Sequence, residues 1–270
     1  MLILITSVLY TSWLSYKVIS GDFWKDLPGN EIYNAIEKSK KKTKIKRLIL
    51  GDSTGMQLFN NYHPDEDFYS LACNQAISVA GQYFLLLNFL KSGNNPECVY
   101  LLFNPFGFKN NLDQVYTYHY FIKPFYTSEY KPLMTNTVKQ QVKKNPYYWA
   151  SQIPNIKAST WAPTYDAPDI TPDSTSFLSK ISKEYLEKID SLRKVYGFRL
   201  IIYPTFASED NKQRINKLRS EDLKDVTCAS LFCDFFDNIT YYDDSLFADG
   251  MHLKDPEILI PKYKKKLLLL

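Results

Sequence analysis

Short apolar runs separated by helical segments restrict the fold of this sequence more than any other feature. The runs read RLIL at 47–50, FYSLA at 68–72, VYLLF at 99–103 and RLIIY at 199–203. Each run ends at a glycine, proline or polar turn signal, which is the pattern of a buried strand. The sequence therefore predicts four buried strands.

Two of the segments between these runs have the spacing of amphipathic helices. Residues 78–91 place apolar side chains three or four positions apart and stop at Gly93, and residues 174–196 do the same and stop at Gly197. Strands that alternate with helices predict a parallel sheet covered by helices on both sides, which is the α/β class.

Residues 105–172 interrupt this alternation. The segment holds 8 of the 14 prolines and 14 aromatic residues. Because a structureless loop of this length is uncommon in a compact domain, we interpret it as an insertion or cap at the end of the third strand, where α/β proteins place ligands. The alternative is that its aromatic residues form a small core of their own.

The N-terminal segment is uncharged from Met1 to Tyr16. Continued through Val18 and Ile19, it reaches the lower limit of about 17 apolar residues for a membrane-spanning helix. We predict an uncleaved membrane anchor at 1–20, followed by a polar, Lys-rich connector at 21–46. A cleaved signal peptide is the alternative, although no basic residue precedes the apolar run and no small-residue cleavage site follows it.

The net charge of +4 comes from two lysine-rich clusters, at 38–47 and 262–266. Without these 11 cations the rest of the chain would carry a net charge of −7. Proteins that bind nucleic acid spread basic residues over the binding face, so no nucleic-acid partner is expected.

The four cysteines have no spacing typical of a metal site. Cys228 and Cys233 are five positions apart, and Cys73 and Cys98 lie near the ends of different strands. We expect four buried thiols, no metal and no cofactor.

The sequence GDSTG at 51–55 follows the first predicted strand directly, so Ser53 would be presented at the carboxyl end of that strand. These letters satisfy G-x-S-x-G, the nucleophile elbow of α/β-hydrolases. In that fold several strands precede the elbow, whereas here only about thirty residues separate the apolar N-terminal segment from Ser53. An α/β-hydrolase is therefore a poor match.

A serine nucleophile needs a base, and the chain has three histidines, His63, His119 and His252. Asp249 precedes His252 by three residues, close enough to fix the imidazole tautomer while the other ring nitrogen faces a hydroxyl. His63 and His119 are given no role.

GDS after the first strand together with D-x-x-H near the C-terminus resembles the SGNH or GDSL hydrolase superfamily. The resemblance covers the chain from Lys46 to its end. It implies a three-layer α/β/α, flavodoxin-like domain at 47–270, with a parallel sheet in the order 2-1-3-4-5. It also implies a Ser53, Asp249 and His252 triad. An oxyanion hole would be formed by Ser53, by Asn104 after the third strand and by Asn74 after the second, with Gly81 as the alternative to Asn74.

The predicted strand order has two consequences of its own. It places Ser53 and Asn104 side by side at the point where the sheet reverses direction. It also places the first strand between Cys73 and Cys98, so these two cysteines are not expected to form a disulfide.

The resemblance extends to function. The anchor, the GDS-type domain and the aromatic insertion are together similar to membrane-anchored proteins that add or remove acyl groups, usually acetyl, on bacterial surface polysaccharides. This implies a serine esterase or O-acyltransferase with its domain outside the cytoplasmic membrane. Its substrate would be an acylated glycan or a small ester, and a membrane-bound acyl donor would be a further partner. The alternative is a non-catalytic accessory protein of the same fold that binds glycan.

Overall fold

The four apolar runs form the predicted parallel sheet. The structure is a computed structural model that describes residues 2–20, 29–114, 116–153, 177–220 and 229–270. The sheet has the order β2-β1-β3-β4, and every pairing in it is parallel. Its strands are β1 (Arg47–Gly51), β2 (Phe68–Ser70), β3 (Cys98–Phe103) and β4 (Arg199–Pro204). The α/β class and the neighbours of β1 are confirmed.

The helices lie before, between and after these strands. In chain order they are α1 (Leu2–Ser20), α2 (Asn30–Ser39), α3 (Ser53–Leu58), α4 (Ser78–Lys91), α5 (Lys123–Phe125), α6 (Asn136–Lys144), α7 (Lys180–Tyr196), α8 (Lys212–Ser220) and α9 (Ile260–Leu269). A π-helix at Tyr118–Ile122 runs directly into α5.

The two faces of the sheet bury separate apolar cores, because successive side chains of a strand point to opposite faces. On β1, Leu48 and Leu50 belong to the first core and Ile49 to the second. Residues of α2, α4 and α7 fill the first core, and Leu58 of α3 and Leu267 of α9 help to fill the second. The sheet therefore has helices packed on both faces.

A fifth strand does not join this sheet in the described part of the chain. Instead β5 (Phe206–Ser208), which follows β4 after the single residue Thr205, pairs in parallel with β6 (Thr240–Tyr242). The position of a fifth strand in the order 2-1-3-4-5 therefore stays a prediction.

The insertion packs mainly into the first core. Of its predicted cap residues, Tyr118 and Phe125 are fully buried there, whereas Tyr116 and Trp149 are exposed. Trp161 lies outside the described residues. Most of the described insertion thus extends the core of the domain and does not form a separate small core.

Two predicted boundaries were wrong. Residues 30–39 form α2, which buries Ile32 and Ala35 in the first core, so this part of the predicted connector at 21–46 belongs to the folded body. The helix predicted from residue 174 begins at Lys180, because the Ser179 hydroxyl accepts a hydrogen bond from the Ser182 N–H and caps it. By contrast, the predicted bounds of α4 are confirmed.

The prediction of four buried thiols was wrong for Cys233. Its side chain is exposed in a turn where Phe232 and Phe235 occupy the positions that point into the core. Cys73, three residues after β2, and Cys98, the first residue of β3, are buried free thiols, and Cys228 lies outside the described residues.

The predicted anchor forms α1, whose described side chains, such as Leu9 and Trp13, are exposed. Within the described residues, no helix meets the length and apolarity needed to cross a membrane.

Candidate active site

The GDSTG turn lies tightly against the end of β3. A Cβ atom at Gly51 would be 2.6 Å from the Leu102 carbonyl oxygen, and one at Gly55 would be 2.7 Å from the same atom. Because real side chains do not tolerate such distances, both positions require glycine. The close approach fixes Ser53, the first residue of α3, at the carboxyl edge of the sheet between β1 and β3.

Asp52 holds this turn in place. Its carboxylate is fully buried and accepts hydrogen bonds from the N–H groups of Thr54 and Gly55 and from the Thr54 hydroxyl, at 3.0, 3.1 and 2.6 Å. Its second oxygen accepts from the Asn104 N–H at 2.8 Å. Asp52 is therefore the N-cap of α3 and also connects that helix to the residue after β3.

Burial and hydrogen bonding act in opposite directions on the Asp52 carboxyl. Loss of solvent is the larger effect and raises its pKa, while hydrogen bonds from Thr54, Gly55 and Asn104 oppose that rise. The network continues from the Thr54 hydroxyl to the Thr205 hydroxyl, 2.7 Å away. The ends of β1, β3 and β4 are thus joined behind Ser53.

The D-x-x-H segment is a short hairpin. Phe247 and Leu253 form an antiparallel bridge, and the Ala248 N–H donates to the His252 carbonyl at 2.7 Å. Gly250 at the tip has φ +77°, a left-handed conformation that glycine adopts without strain. The spacing of three residues between Asp249 and His252 therefore follows from the geometry of a tight turn.

Asp249 binds both the backbone and the ring of this hairpin. Its Oδ1 accepts the N–H groups of Met251 and His252, at 3.1 and 2.8 Å, and its Oδ2 lies 2.7 Å from His252 Nδ1. Partial burial would raise the pKa of the Asp249 carboxyl, but the hydrogen bonds from His252 and Met251 outweigh it and lower the pKa. Asp249 is therefore ionised at neutral pH.

The structure brings Ser53, His252 and Asp249 into one hydrogen-bonded chain. His252 Nε2 lies 2.8 Å from Ser53 Oγ. Because the ionised Asp249 can only accept, His252 Nδ1 donates to it, and Nε2 is left to accept the Ser53 hydroxyl proton. These three predicted residues are 199 positions apart at most, and their contact depends on the whole domain.

Gln57 completes the attachment of the hairpin and was not predicted from the sequence. It lies one turn after Ser53 on α3, donates from Nε2 to the Leu253 carbonyl at 3.0 Å and accepts the Leu253 N–H at Oε1 at 3.1 Å. This reciprocal pair fixes the backbone next to His252. A glutamine four residues after the serine, on the same face of a helix, was the available signal.

The predicted oxyanion residues lie at the same edge of the sheet. One amide hydrogen of Asn104 is committed to the Phe206 carbonyl, 3.2 Å away, and its Oδ1 accepts the Phe106 N–H. Asn74 Oδ1 accepts the Ala76 N–H at 2.9 Å, and its Nδ2 has no partner among the described residues. The Ser53 N–H likewise has no partner there.

The remaining candidates lie away from this chain of contacts. Gly81 is inside α4, where a Cβ atom would be 2.5 Å from the Ile77 Cβ, so close packing explains it. His63 is exposed, and His119 is buried at the start of the π-helix.

No protein-family model, curated protein or solved structure matches this chain. Conclusions about function therefore depend on the geometry of the site.

Proposed function

We propose that this protein is a serine acyl-transfer enzyme, an esterase or O-acyltransferase that acts on O-acyl esters. The observation that supports this most strongly is the hydrogen-bonded chain from Ser53 Oγ to His252 and on to Asp249. Its geometry is that of a nucleophile, a general base and the carboxylate that orients the base.

In the first half of the reaction, His252 Nε2 takes the proton of Ser53 as Oγ attacks the ester carbonyl carbon. The tetrahedral intermediate collapses when the alkoxide leaves with that proton, and an acyl-serine remains. In the second half, an acceptor hydroxyl gives its proton to His252 and attacks the acyl-serine, which restores Ser53. Water as acceptor gives hydrolysis, and a sugar hydroxyl gives transfer.

The oxyanion of the intermediate needs hydrogen-bond donors. The Ser53 N–H and the Asn74 Nδ2, which have no partner among the described residues, are the donors we propose, together with the second hydrogen of the Asn104 amide. One such donor typically contributes about 3 kcal/mol to lowering the barrier.

The resemblance to SGNH or GDSL proteins supports a flavodoxin-like domain with an acylated glycan as substrate, located outside a bacterial cytoplasmic membrane and attached by α1. Vesicle sedimentation tests the attachment. The full chain should sediment with lipid vesicles, and a chain without residues 1–20 should stay in the supernatant. Equal sedimentation of both would contradict an anchor in α1.

A fluorophosphonate probe tests the nucleophile. We expect it to label the wild type and Ser92→Ala, a control serine directly after the last residue of α4, and to leave Ser53→Ala unlabelled. Equal labelling of Ser53→Ala and wild type, or of neither, would contradict a serine acyl-enzyme.

Incubation with an acetyl ester and a glycan separates hydrolysis from transfer. Recovery of the acetyl group only as free acetate would argue against transfer.

A non-catalytic, glycan-binding accessory protein is the second candidate. The observation that favours it is the Asn104 amide, which already donates to Phe206 and leaves one hydrogen for an oxyanion. This candidate predicts glycan binding without fluorophosphonate labelling.

A further inference from the structure

An arginine that lies over an aromatic ring is close to the candidate active site and is not used by the proposed reaction. The Arg214 guanidinium carbon of α8 is 4.9 Å from the centre of the Phe106 ring. Phe106 follows Asn104 by two residues and donates its N–H to the Asn104 side chain at 3.1 Å. Arg214 therefore covers the loop that leaves the end of β3.

The same arginine is joined to the hairpin of His252. Arg214 Nη1 donates to Asn211 Oδ1 at 3.2 Å. Asn211 Nδ2 in turn donates to the Gly250 carbonyl at 3.0 Å and to the Ser208 hydroxyl at 2.9 Å. The guanidinium thus contacts Phe106 directly and is connected to the hairpin of His252 through Asn211.

The charge of Arg214 is not neutralised within the described part of the chain. The described ion pairs include none to Arg214, and the nearby Glu209 is paired with Lys212 at 3.2 Å. Arg214 is exposed, and its hydrogen bond to Asn211 uses one of five N–H donors. A guanidinium that lies over a ring keeps its remaining N–H groups free for a ligand, in the fork that matches a carboxylate or a phosphate.

We propose that Arg214 binds an anionic group, a carboxylate or a phosphate, on the substrate whose ester is held at Ser53. This inference rests on the proposed acyl-transfer function for the identity of the site, and it adds that the substrate is anionic. Phe106 would contribute a stacking face beside the charge. A glycan composed of acidic or phosphorylated sugars offers an anionic group for Arg214 and a sugar ring that can pack against Phe106.

Calorimetric binding tests the charge preference without requiring turnover. The probes are trigalacturonate, its fully methyl-esterified and hence neutral form, and glucose 1-phosphate. We expect the wild type to bind at least one anionic probe about tenfold or more tightly than the neutral trisaccharide, which is the usual size of one charge-assisted contact. Preference for trigalacturonate assigns a carboxylate, and preference for the sugar phosphate assigns a phosphate.

Variants locate this preference at Arg214. Arg214→Met should abolish it, and Arg214→Lys should retain part of it, since the charge stays and the fork is lost. Lys212→Met removes the same charge from the same helix and should leave the preference unchanged. The proposal is overturned if the wild type binds all three probes equally, or if Arg214→Met keeps the preference.

A purely structural role for Arg214 predicts a different result with esters. If the role were structural, Arg214→Met would lower kcat equally for neutral p-nitrophenyl acetate and for an acetylated galacturonate. If Arg214 binds an anion, Arg214→Met should raise KM for the acidic ester and leave the kinetics of the neutral ester unchanged. If no fluorophosphonate labels Ser53 but the binding preference persists, the acyl-transfer function fails and the anion site stands.

Discussion

The position of the Ser53 hydroxyl depends on a buried carboxylate, that of Asp52. Asp52 is fully buried, and its four hydrogen bonds tie the start of α3 to the residue after β3. In Asp52→Asn, an amide group would meet the Asn104 N–H, so two donors would face each other. We expect the free energy of unfolding to fall by about 1–3 kcal/mol and fluorophosphonate labelling of Ser53 to slow.

Urea unfolding of Asp52→Asn measures this cost. Asp67→Asn is the matched control, because Asp67 lies near the surface in an ion pair with Lys264, and such pairs contribute at most about 1 kcal/mol. Equal stability of Asp52→Asn and wild type would contradict a positioning role for Asp52.

The second prediction at this scale concerns the tautomer of His252. Asp249→Asn offers an amide that can donate to Nδ1, which favours the tautomer with its proton on Nε2, where it cannot accept from Ser53. We expect the rate of acylation to fall by about 10²- to 10⁴-fold. Stopped-flow acylation with p-nitrophenyl acetate measures this rate.

Asp255→Asn is the control for this change, since Asp255 is exposed three residues after His252 and makes no capping hydrogen bond. An unchanged acylation rate in Asp249→Asn would remove Asp249 from the proposed triad.

Residue identity predicted which side chains form the hydrogen-bonded chain of the candidate site, but not the residues that support it. Ser53, Asp249 and His252 occur in short motifs whose local turns fix their geometry, so the sequence alone was sufficient to select them. The spacing of Gln57 from Ser53 places it on the same helix face, but its partner, Leu253, is 196 positions away and meets it only in the folded domain. The hydrogen bond from the Asn104 amide to the Phe206 carbonyl, 102 positions away, could not be predicted for the same reason.

At the scale of elements, α3 is positioned by how closely its first turn approaches β3. A Cβ atom at Gly55 would be 2.7 Å from the Leu102 carbonyl oxygen and 3.2 Å from the Leu102 Cβ. Backbone cannot move as a flexible side chain can, so Gly55→Ala should shift α3. Overpacking costs about 1–3 kcal/mol, whereas alanine gains only about 1 kcal/mol in helix propensity.

We therefore expect Gly55→Ala to lose stability and to displace Ser53 from His252. Urea unfolding and fluorophosphonate labelling measure the two effects. Ser191→Ala, on the exposed part of α7, is the control and should change neither. A Gly55→Ala protein that is more stable and fully labelled would show that the approach of α3 to β3 is not tight.

Elements were predictable wherever local pattern and packing agreed. The bounds of α4 are those of the apolar period, because nearly all of its length is buried. The predicted start of α7 was too early, because Phe177 and Leu178 are apolar and buried but precede the Ser179 cap. Apolar spacing alone does not distinguish a buried lead-in from the first turn of a helix.

At the scale of the whole molecule, the packing of the insertion was the feature least predictable from the sequence. Its aromatic residues were expected at the end of the sheet or in a core of their own. Phe121, Phe125 and Tyr130 instead pack around Phe84 of α4, with ring centres 5.3–6.3 Å from that of Phe84. Composition shows that such rings need burial, but it does not show which face of the domain buries them.

One consequence of this packing is a histidine buried in its neutral form. His119 is 8 % exposed, and its Nδ1 has no hydrogen-bond partner among the residues that the structure describes. Loss of solvent, and secondarily the nearby Lys123 charge, lowers the pKa of His119 from 6.5 to about 4. Between these two values the unfolded chain binds a proton at His119 that the folded chain does not bind.

The free energy of unfolding should therefore fall as pH decreases from 6.5 towards 4, and the His119 contribution should be fully present only above 6.5. At pH 4.5 the expected loss from this one group is about 2 kcal/mol relative to pH 7.5. Urea unfolding at both pH values measures it. In His119→Phe the decrease between the two pH values should be smaller by that amount, because phenylalanine fills the site without binding a proton.

His63→Gln is the control, since His63 is exposed, and its decrease should equal that of the wild type. Carboxylates that titrate in the same range contribute equally to all three proteins, so the comparison isolates His119. The same decrease in His119→Phe and wild type would mean that the insertion opens far enough to hydrate His119 when it is protonated. The packing of the π-helix against the body would then be weaker than its burial implies.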